Sequence, residues 1–142
     1  MADMGRWISV LYRYGQSYMN KKMEPFGLNK GQLPVLIFLY KYDGSSQQQL
    51  TDYLRIDKGC DAKTIKKLEQ EGYVTREIDS SDKRAFNVRL TQKAKDAIPA
   101  IREAIYSWED VMTAGLNDEE KDAAEQIIYK MAKNAYNYKD RT

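Results

Sequence analysis

At 142 residues, with 42% hydrophobic and 31% charged side chains, the chain has enough apolar material for one core and too little length for two ordinary domains. Zero histidines and a single cysteine, Cys60, exclude an internal disulfide, the usual zinc sites and any Ser-His or Cys-His catalytic pair, so no enzyme, metal or cofactor is expected. No run approaches the roughly 18 to 20 unbroken apolar residues of a membrane span, and Asp3, Arg6 and Arg13 occupy the stretch a signal peptide keeps apolar, so the expectation is a cytoplasmic protein with no membrane partner.

Trp7, Ile8, Leu11, Tyr12, Gly15, Tyr18 and Met19 recur at spacings of three and four, which predicts a first helix over 5–24 with one apolar stripe, stopped by Glu24 and Pro25. Asn29 and Gln32 form a capping-box pattern for a second helix, with Leu33, Leu36, Ile37 and Tyr40 inward and an end near Asp43-Gly44. Pro34 should bend that helix or delay its start, because it removes a backbone donor. Ser45 or Ser46 caps a short third helix whose Leu50, Tyr53 and Leu54 face the core.

A turn near Ile56 leads to a fourth helix, capped by Asp57 and closed by Gly72. Cys60, Thr64, Ile65 and Leu68 fall on its inner side, while Lys58, Asp61, Ala62, Lys63 and Lys66 point away and Lys67 partly so. Beyond Gly72 the period changes from 3.6 to 2, with Val74, Arg76 and Ile78 on one side, the turn DSSDKR, and then Phe86, Val88 and Leu90 in alternation. This predicts a hairpin. Thr91 caps a fifth helix through Ala94, Ala97, Ile98, Ile101, Ile105, Trp108 and Met112, bent by Pro99 and ended by Gly115. Asn117 and Glu120 cap a sixth, with Ala124, Ile127, Ile128, Met131 and Ala135 on its inner face.

Two short helices followed by a charged hairpin form a winged helix-turn-helix, a shape that lays its second helix in a major groove and reaches phosphates or the minor groove with the hairpin tip. The fold expected is mainly α with a small β-hairpin wing. Within a single domain, 29–93 would form the DNA-binding lobe, and 1–26 with 94–142 a helical dimerisation lobe. A lobe of that size does not need apolar first, fifth and sixth helices, which are suited to packing on a second copy so that a two-fold dimer presents two recognition helices. Charge alone is weak support for DNA. The net value is +2, and residues 55–93 hold ten Lys/Arg against seven Asp/Glu, so the local excess is three.

The block from Leu50 to Thr91 resembles the winged helix-turn-helix of the MarR (multiple antibiotic resistance regulator) family of bacterial and archaeal transcription factors. Four anchors carry the resemblance: Leu68-Glu69 with Gly72-Tyr73-Val74, Arg76, Asp82-Lys83-Arg84, and Leu90-Thr91. Length and the order of six helices agree over nearly the whole chain. The resemblance implies an obligate homodimer on a pseudopalindromic double-stranded operator, usually a repressor, released by a small anionic or phenolic compound bound between the lobes. It also implies that Arg84 enters the minor groove and that Asp82 holds the Arg84 side chain. Ala62 and Lys63 stand where the family often has a Thr-Arg pair facing the bases, and Asp61 where an apolar residue is common. A lysine lacks the bidentate fork of arginine, so base preference does not carry over. Asp61 remains open between a cap, a partner for Lys58 or Lys66, and an acceptor from cytosine.

The candidate DNA-binding residues are Gln47 at the start of the third helix, Lys58, Gly59, Asp61, Ala62, Lys63 and Lys66 in the fourth, and Asp82, Lys83 and Arg84 in the wing. Against each stands a plain reading: a solvated charged face for the lysines, an ordinary helix N-terminus for Gln47, an exposed hairpin tip for Arg84. Cys60 on the inner face reads as a small apolar residue ahead of a redox switch. Most of the eleven tyrosines belong to core and interface, with Tyr12, Tyr40 and Trp108 as candidate walls of an aromatic-effector pocket. The rival readings are a winged-helix protein-interaction module and a small-molecule binder without DNA function.

Overall fold

The structure is a computed structural model describing residues 3–54 and 62–141, with side chains to residue 138. The turn near Ile56, the cap at Asp57 and the inward place of Cys60 lie outside the described residues. Among the described residues, six α-helices and one two-stranded antiparallel sheet follow in chain order: α1 (Met4–Met23), α2 (Leu33–Lys41), α3 (Gln47–Tyr53), α4 (Ala62–Gln70), β1 (Val74–Ile78), β2 (Phe86–Leu90), α5 (Gln92–Met112) and α6 (Asp118–Arg141). Among the described residues, no helix is long and apolar enough to cross a membrane. The chain divides into two compact units, residues 1–108 and 109–142.

In the first unit the core forms where apolar periodicities converge. Met19 and Met23 from the end of α1, Leu36 and Leu39 from α2, Leu50 from α3, Ile65 and Leu68 from α4, Val74 and Val88 from the hairpin, and Ile98 and Ile101 from α5 are all buried. The front half of the α1 stripe is not: Trp7, Ile8 and Leu11 are exposed.

Pro25 sits in a 3₁₀ turn (Glu24–Phe26) after α1. A second one (Lys30–Gln32) carries the expected capping box, in which the Asn29 backbone N–H donates to Gln32 Oε1 at 3.0 Å. Pro34 does delay the helix. α2 begins only at Leu33, which puts Pro34 in the first turn, where its missing N–H would have had no helical partner. Two inward assignments fail: Tyr40 is 53% exposed and Tyr53 61% exposed. Tyr53 instead lies along the core's edge with its ring 4.5 Å from that of Phe38, an amphipathic placement open to tyrosine because its hydroxyl stays in water.

Ser46, rather than Ser45, caps α3, accepting from the Gln49 backbone N–H at 3.0 Å while its own backbone N–H donates to Gln49 Oε1 at 2.9 Å. The short run before it has a second role. Gly44 N–H donates to Val88 O at 3.0 Å, Val88 N–H to Ser45 O at 2.8 Å, and Leu90 N–H to the Asp43 carboxylate at 2.8 Å. Residues 43–46 thus cover the outer edge of β2, a role that a Gly-Ser turn motif conceals.

Gly72, at φ 83°, closes α4 in a Schellman turn: Gly72 N–H donates to Glu69 O at 3.1 Å and Tyr73 N–H to Leu68 O at 2.9 Å. The hairpin register pairs Val74 with Leu90, Arg76 with Val88 and Ile78 with Phe86, as the alternation predicts. Its turn is organised by Asp79, whose Oδ1 accepts from Ser81 N–H at 2.7 Å, Ser81 Oγ at 2.6 Å and Asp82 N–H at 3.2 Å. The bond from the Ser81 hydroxyl, followed by that from its backbone, lowers the Asp79 pKa to about 2.

Thr91 Oγ1 accepts from the Ala94 backbone N–H at 3.2 Å and so caps α5, which continues through Pro99. Near its end Trp108 packs on Tyr18, with ring centroids 5.3 Å apart, and over Gly15 of α1. In the second unit Asn117 and Glu120 form the expected reciprocal capping box at 2.8 and 3.1 Å. The face of α6 expected to be inner is instead open. Ile127 and Ile128 are 57% and 61% exposed.

A Cβ on Gly15 would stand 2.8 Å from Trp108 Nε1. Gly15→Ala should therefore lower stability by about 1–3 kcal/mol of overpacking, offset by less than about 1 kcal/mol of helix propensity. A urea midpoint equal to or above that of the wild type would mean the indole moves aside freely. Asp79 supplies a pH test. Because its folded pKa is depressed, its contribution is present above the ordinary value of 3.8 and is lost as pH falls toward about 2. Asp79→Asn should be less stable than the wild type at pH 5, with the gap closing near pH 2; an equal gap at both values would remove Asp79 as the turn's organiser.

Candidate nucleic-acid interface

Helical periodicity places Ile65 and Leu68 of α4 in the core, leaving Ala62, Lys63, Lys66 and Lys67 exposed on the opposite face. Ala62, Lys63 and Lys66 thus stand where the sequence puts them, and Lys67 faces solvent with them. Lys58, Gly59 and Asp61 lie outside the described residues. Lys83 and Arg84 occupy the exposed hairpin turn. Asp82 is placed differently from expectation. Its Oδ1 accepts from the Arg84 backbone N–H at 3.0 Å, so it braces the main chain of the turn and not the guanidinium. The geometry is an Asx turn, which an aspartate two residues earlier reaches with little strain.

Gln47, the first residue of α3, comes to the wing as well: its Oε1 accepts from Arg76 Nη1 at 3.4 Å. Around this contact Ser46, Gln47, Gln48 and Thr51 from one side and Arg76, Arg84, Ala85 and Phe86 from the other enclose a groove of about 410 Å³. The structure thereby gathers Gln47 and Arg84, two candidates from opposite ends of the lobe, with Arg76, which the sequence marked only as a family anchor. Gln48 and Thr51 complete the wall. Alternation alone put Arg76 on the same side as Val74, and nothing in that pattern pointed to α3.

The basic residues fall into two sets. Arg76 pairs with Glu69 at 3.4 Å, and Arg89 with Glu77 at 3.2 Å. Among the described residues, Lys63, Lys66, Lys83 and Arg84 make no ion pair. The modest local charge excess is therefore concentrated in side chains of α4 and the wing turn whose charge is open to a polyanion. Among the described residues, no cluster of three or more Cys, Asp or Glu is arranged to hold a metal.

The three candidate pocket walls are not brought together. Tyr40 lines a groove of about 290 Å³ between α2 and α5 with Ile37, Lys41, Arg102, Ile105 and Tyr106. There the Arg102 guanidinium lies 5.7 Å from the Tyr40 ring centre, and its pKa is raised further by the Tyr106 hydroxyl. Tyr12 stands on the exposed face of α1 under the Lys30 ammonium, 4.6 Å away. Trp108 is engaged in packing α5 on α1. Arg102, Lys41 and Tyr106 escaped sequence reasoning because each reads as an ordinary outward helix residue.

The MarR family model matches residues 28–86, which includes the whole of α2 to β1 and the wing turn. The chain is 34% identical over 109 residues to the HTH-type transcriptional regulator YwoH of Bacillus subtilis (strain 168), covering 77% of this chain and 79% of that protein. It is similar to the crystal structure of a MarR transcriptional regulator from Methanosarcina mazei Go1, with a TM-score of 0.82, 39% identity, and coverage of 95% of this chain and 90% of the other. A MarR family regulator from Listeria monocytogenes complexed with a 26mer DNA matches with a TM-score of 0.79 and 26% identity over 99% of this chain and 96% of that one. Exposed lysines on α4, a braced charged hairpin and these likenesses over nearly the full length lead to one conclusion: the chain belongs to the MarR family of transcriptional regulators and carries its DNA-binding helix-turn-helix.

Proposed function

We propose that the protein is a cytoplasmic homodimeric repressor that occupies a pseudopalindromic operator and is released by a small aromatic anion. Residues 29–93 form the DNA-binding lobe, and the helical segments 1–26 and 94–142 join the two copies. The observation that carries this reading is the separation of cations: Lys63, Lys66, Lys83 and Arg84 are unpaired among the described residues while their neighbours Arg76 and Arg89 hold acids. α4 lies in the major groove with Ala62, Lys63 and Lys66 toward it, and Lys58, Gly59 and Asp61 belong to the same segment. The wing, with Asp82, Lys83 and Arg84, clamps the flank, and Gln47 approaches phosphate from the start of α3.

Dimerisation is supported by the uncovered apolar residues Trp7, Ile8 and Leu11 on α1 and, separately, Ile127 and Ile128 on α6. Two copies related by a two-fold axis set half-sites about one helical turn apart, roughly 34–36 Å. The Listeria relative's complex with a 26mer DNA supports DNA as the partner. The effector would enter the groove of Tyr40, Lys41, Arg102 and Tyr106, where two cations and two phenol rings suit a flat ring bearing a carboxylate. A protein-interaction module or a small-molecule binder without DNA function has no comparable use for the unpaired cations.

Selection of bound duplexes from a random pool should return two inverted half-sites; a single half-site, or no enrichment with no salt-sensitive binding, would overturn the dimeric operator reading. On the recovered duplex, Arg84→Ala should cost about 1–3 kcal/mol and lower the salt slope by about one, and Lys63→Ala should also weaken binding and relax base preference. Affinity and slope unchanged in both variants would sink the assigned geometry. Titration calorimetry with salicylate should show binding that Arg102→Met abolishes, together with weaker DNA affinity of the loaded wild type. Absence of heat and of any effect on DNA binding would remove this ligand class.

A further inference from the structure

Arg76 is the one basic residue of the wing whose guanidinium is tied to three other elements. From the middle of β1 its Nε lies 3.4 Å from Glu69 Oε1 in the last turn of α4. Its Nη1 donates to Gln47 Oε1 at the start of α3 at 3.4 Å, and its Cζ stands 4.8 Å from the ring centre of Phe86, the first residue of β2. A planar fork with donors in fixed directions can hold two acceptors and a ring face together; a lysine ammonium on a flexible stem cannot. Only Glu71, Gly72 and Tyr73 join α4 to β1, so the hairpin's inclination to α4 needs a contact away from that short link.

Resting on the reading that α4 and the wing grip DNA, we propose that Arg76 is a positioning residue: through Glu69 and Gln47 it fixes the spacing of the wing from α3 and α4, and it is not itself a phosphate contact. Its place on the groove wall beside Arg84 makes a phosphate role the natural competing assignment. The charge state separates the two. Arg76 already holds a carboxylate, whereas Arg84 makes no ion pair among the described residues. Each tie alone is a weak, partly exposed interaction, with side chains of Arg76 and Glu69 32% and 36% accessible. Their joint effect is geometric. A wing held from three sides presents Arg84 at a set distance from the recognition helix, and a displacement of about 1 Å at such a site is enough to lose most of a contact.

The test uses the full-length protein and the duplex it recovers from a random pool, with dissociation constants measured across a salt series. Arg76→Gln and Glu69→Gln should each weaken binding about threefold to tenfold and leave the salt slope at the wild-type value. Arg76→Lys, which keeps the charge without the fork, should fall with Arg76→Gln. The exchange Glu69→Arg with Arg76→Glu should restore most of the affinity, and hydroxyl-radical protection should weaken selectively at the flanks in the single variants. A phosphate ligand would behave oppositely: Arg76→Gln would reduce the slope by about one, Arg76→Lys would retain binding, and Glu69→Gln would tighten it by removing a negative charge. That pattern overturns the proposal, as does failure of the exchange to rescue. Arg84→Ala serves as the control, since an unchanged affinity and slope there would refute the wing's DNA role itself and not merely the part given to Arg76.

Discussion

The helix α4, the hairpin and α5 take their directions from one knot of hydrogen bonds around Gly72, Tyr73 and Thr91. Gly72 ends α4 in the left-handed region, and the Schellman bond from Tyr73 N–H to Leu68 O turns the chain into β1. Thr91, at the far end of the hairpin, donates through Oγ1 to Gly72 O at 2.6 Å, and its backbone N–H reaches Tyr73 O at 3.1 Å. The same hydroxyl oxygen caps α5. Tyr73 is buried, and its own hydroxyl donates to the Phe26 carbonyl, which carries the knot across to the segment after α1. Burial, and next to it the charge of Glu71, raises the Tyr73 pKa, so the phenol remains a donor throughout the range in which the fold operates. Lys93 adds a last tie, reaching the Glu71 carbonyl at 2.8 Å where the C-terminus of α4 favours a cation.

Much of this was legible in the chain because the signals are local. Reciprocal capping boxes at Asn29, Ser46 and Asn117, glycines at the C-terminal positions of helices, and a change of period after Gly72 each announce a boundary through two or three neighbouring residues. What escaped depends on partners far away. Tyr40 and Tyr53 carry enough ring to read as core, yet their hydroxyls keep them at the surface. The family resemblance implies that Asp82 holds the Arg84 side chain, whereas its carboxylate accepts from the Arg84 main chain, a contact that depends on the fold of the turn. Asp43 reads as part of a turn, and its bond to Leu90, 47 residues on, is visible only in the folded lobe. Trp108 looked like a pocket wall; it is committed to Gly15 because only a residue without a side chain lets α1 come that close.

The charge pattern shows why composition was a poor guide to function. A net value of +2 conceals that the two strand arginines are paired with acids while the cations of α4 and the wing turn are open to solvent. Arg76 and Arg89, both on the strands, neutralise Glu69 and Glu77, whereas Lys63 and Lys66 on α4 and Lys83 and Arg84 at the wing turn hold no acid among the described residues. A protein that approaches a polyanion needs only a few exposed charges in the right place, and the acids elsewhere preserve its solubility without reducing that local field.

The cover that residues 43–46 place over β2 also bears on self-association. A two-stranded sheet has two open edges, each able to template the strand of another molecule. On β2 that edge is occupied: the N–H and C=O of Val88 and the N–H of Leu90 are all engaged by the loop before α3. The other edge belongs to β1, whose sequence VTREI places Arg76 and Glu77 in the middle of the strand. Charges there discourage edge-to-edge growth, and the apolar β2 segment FNVRL is closed to it by its own chain. The wing can thus stand out from the rest of the fold without exposing an adhesive ribbon to its neighbours at high concentration.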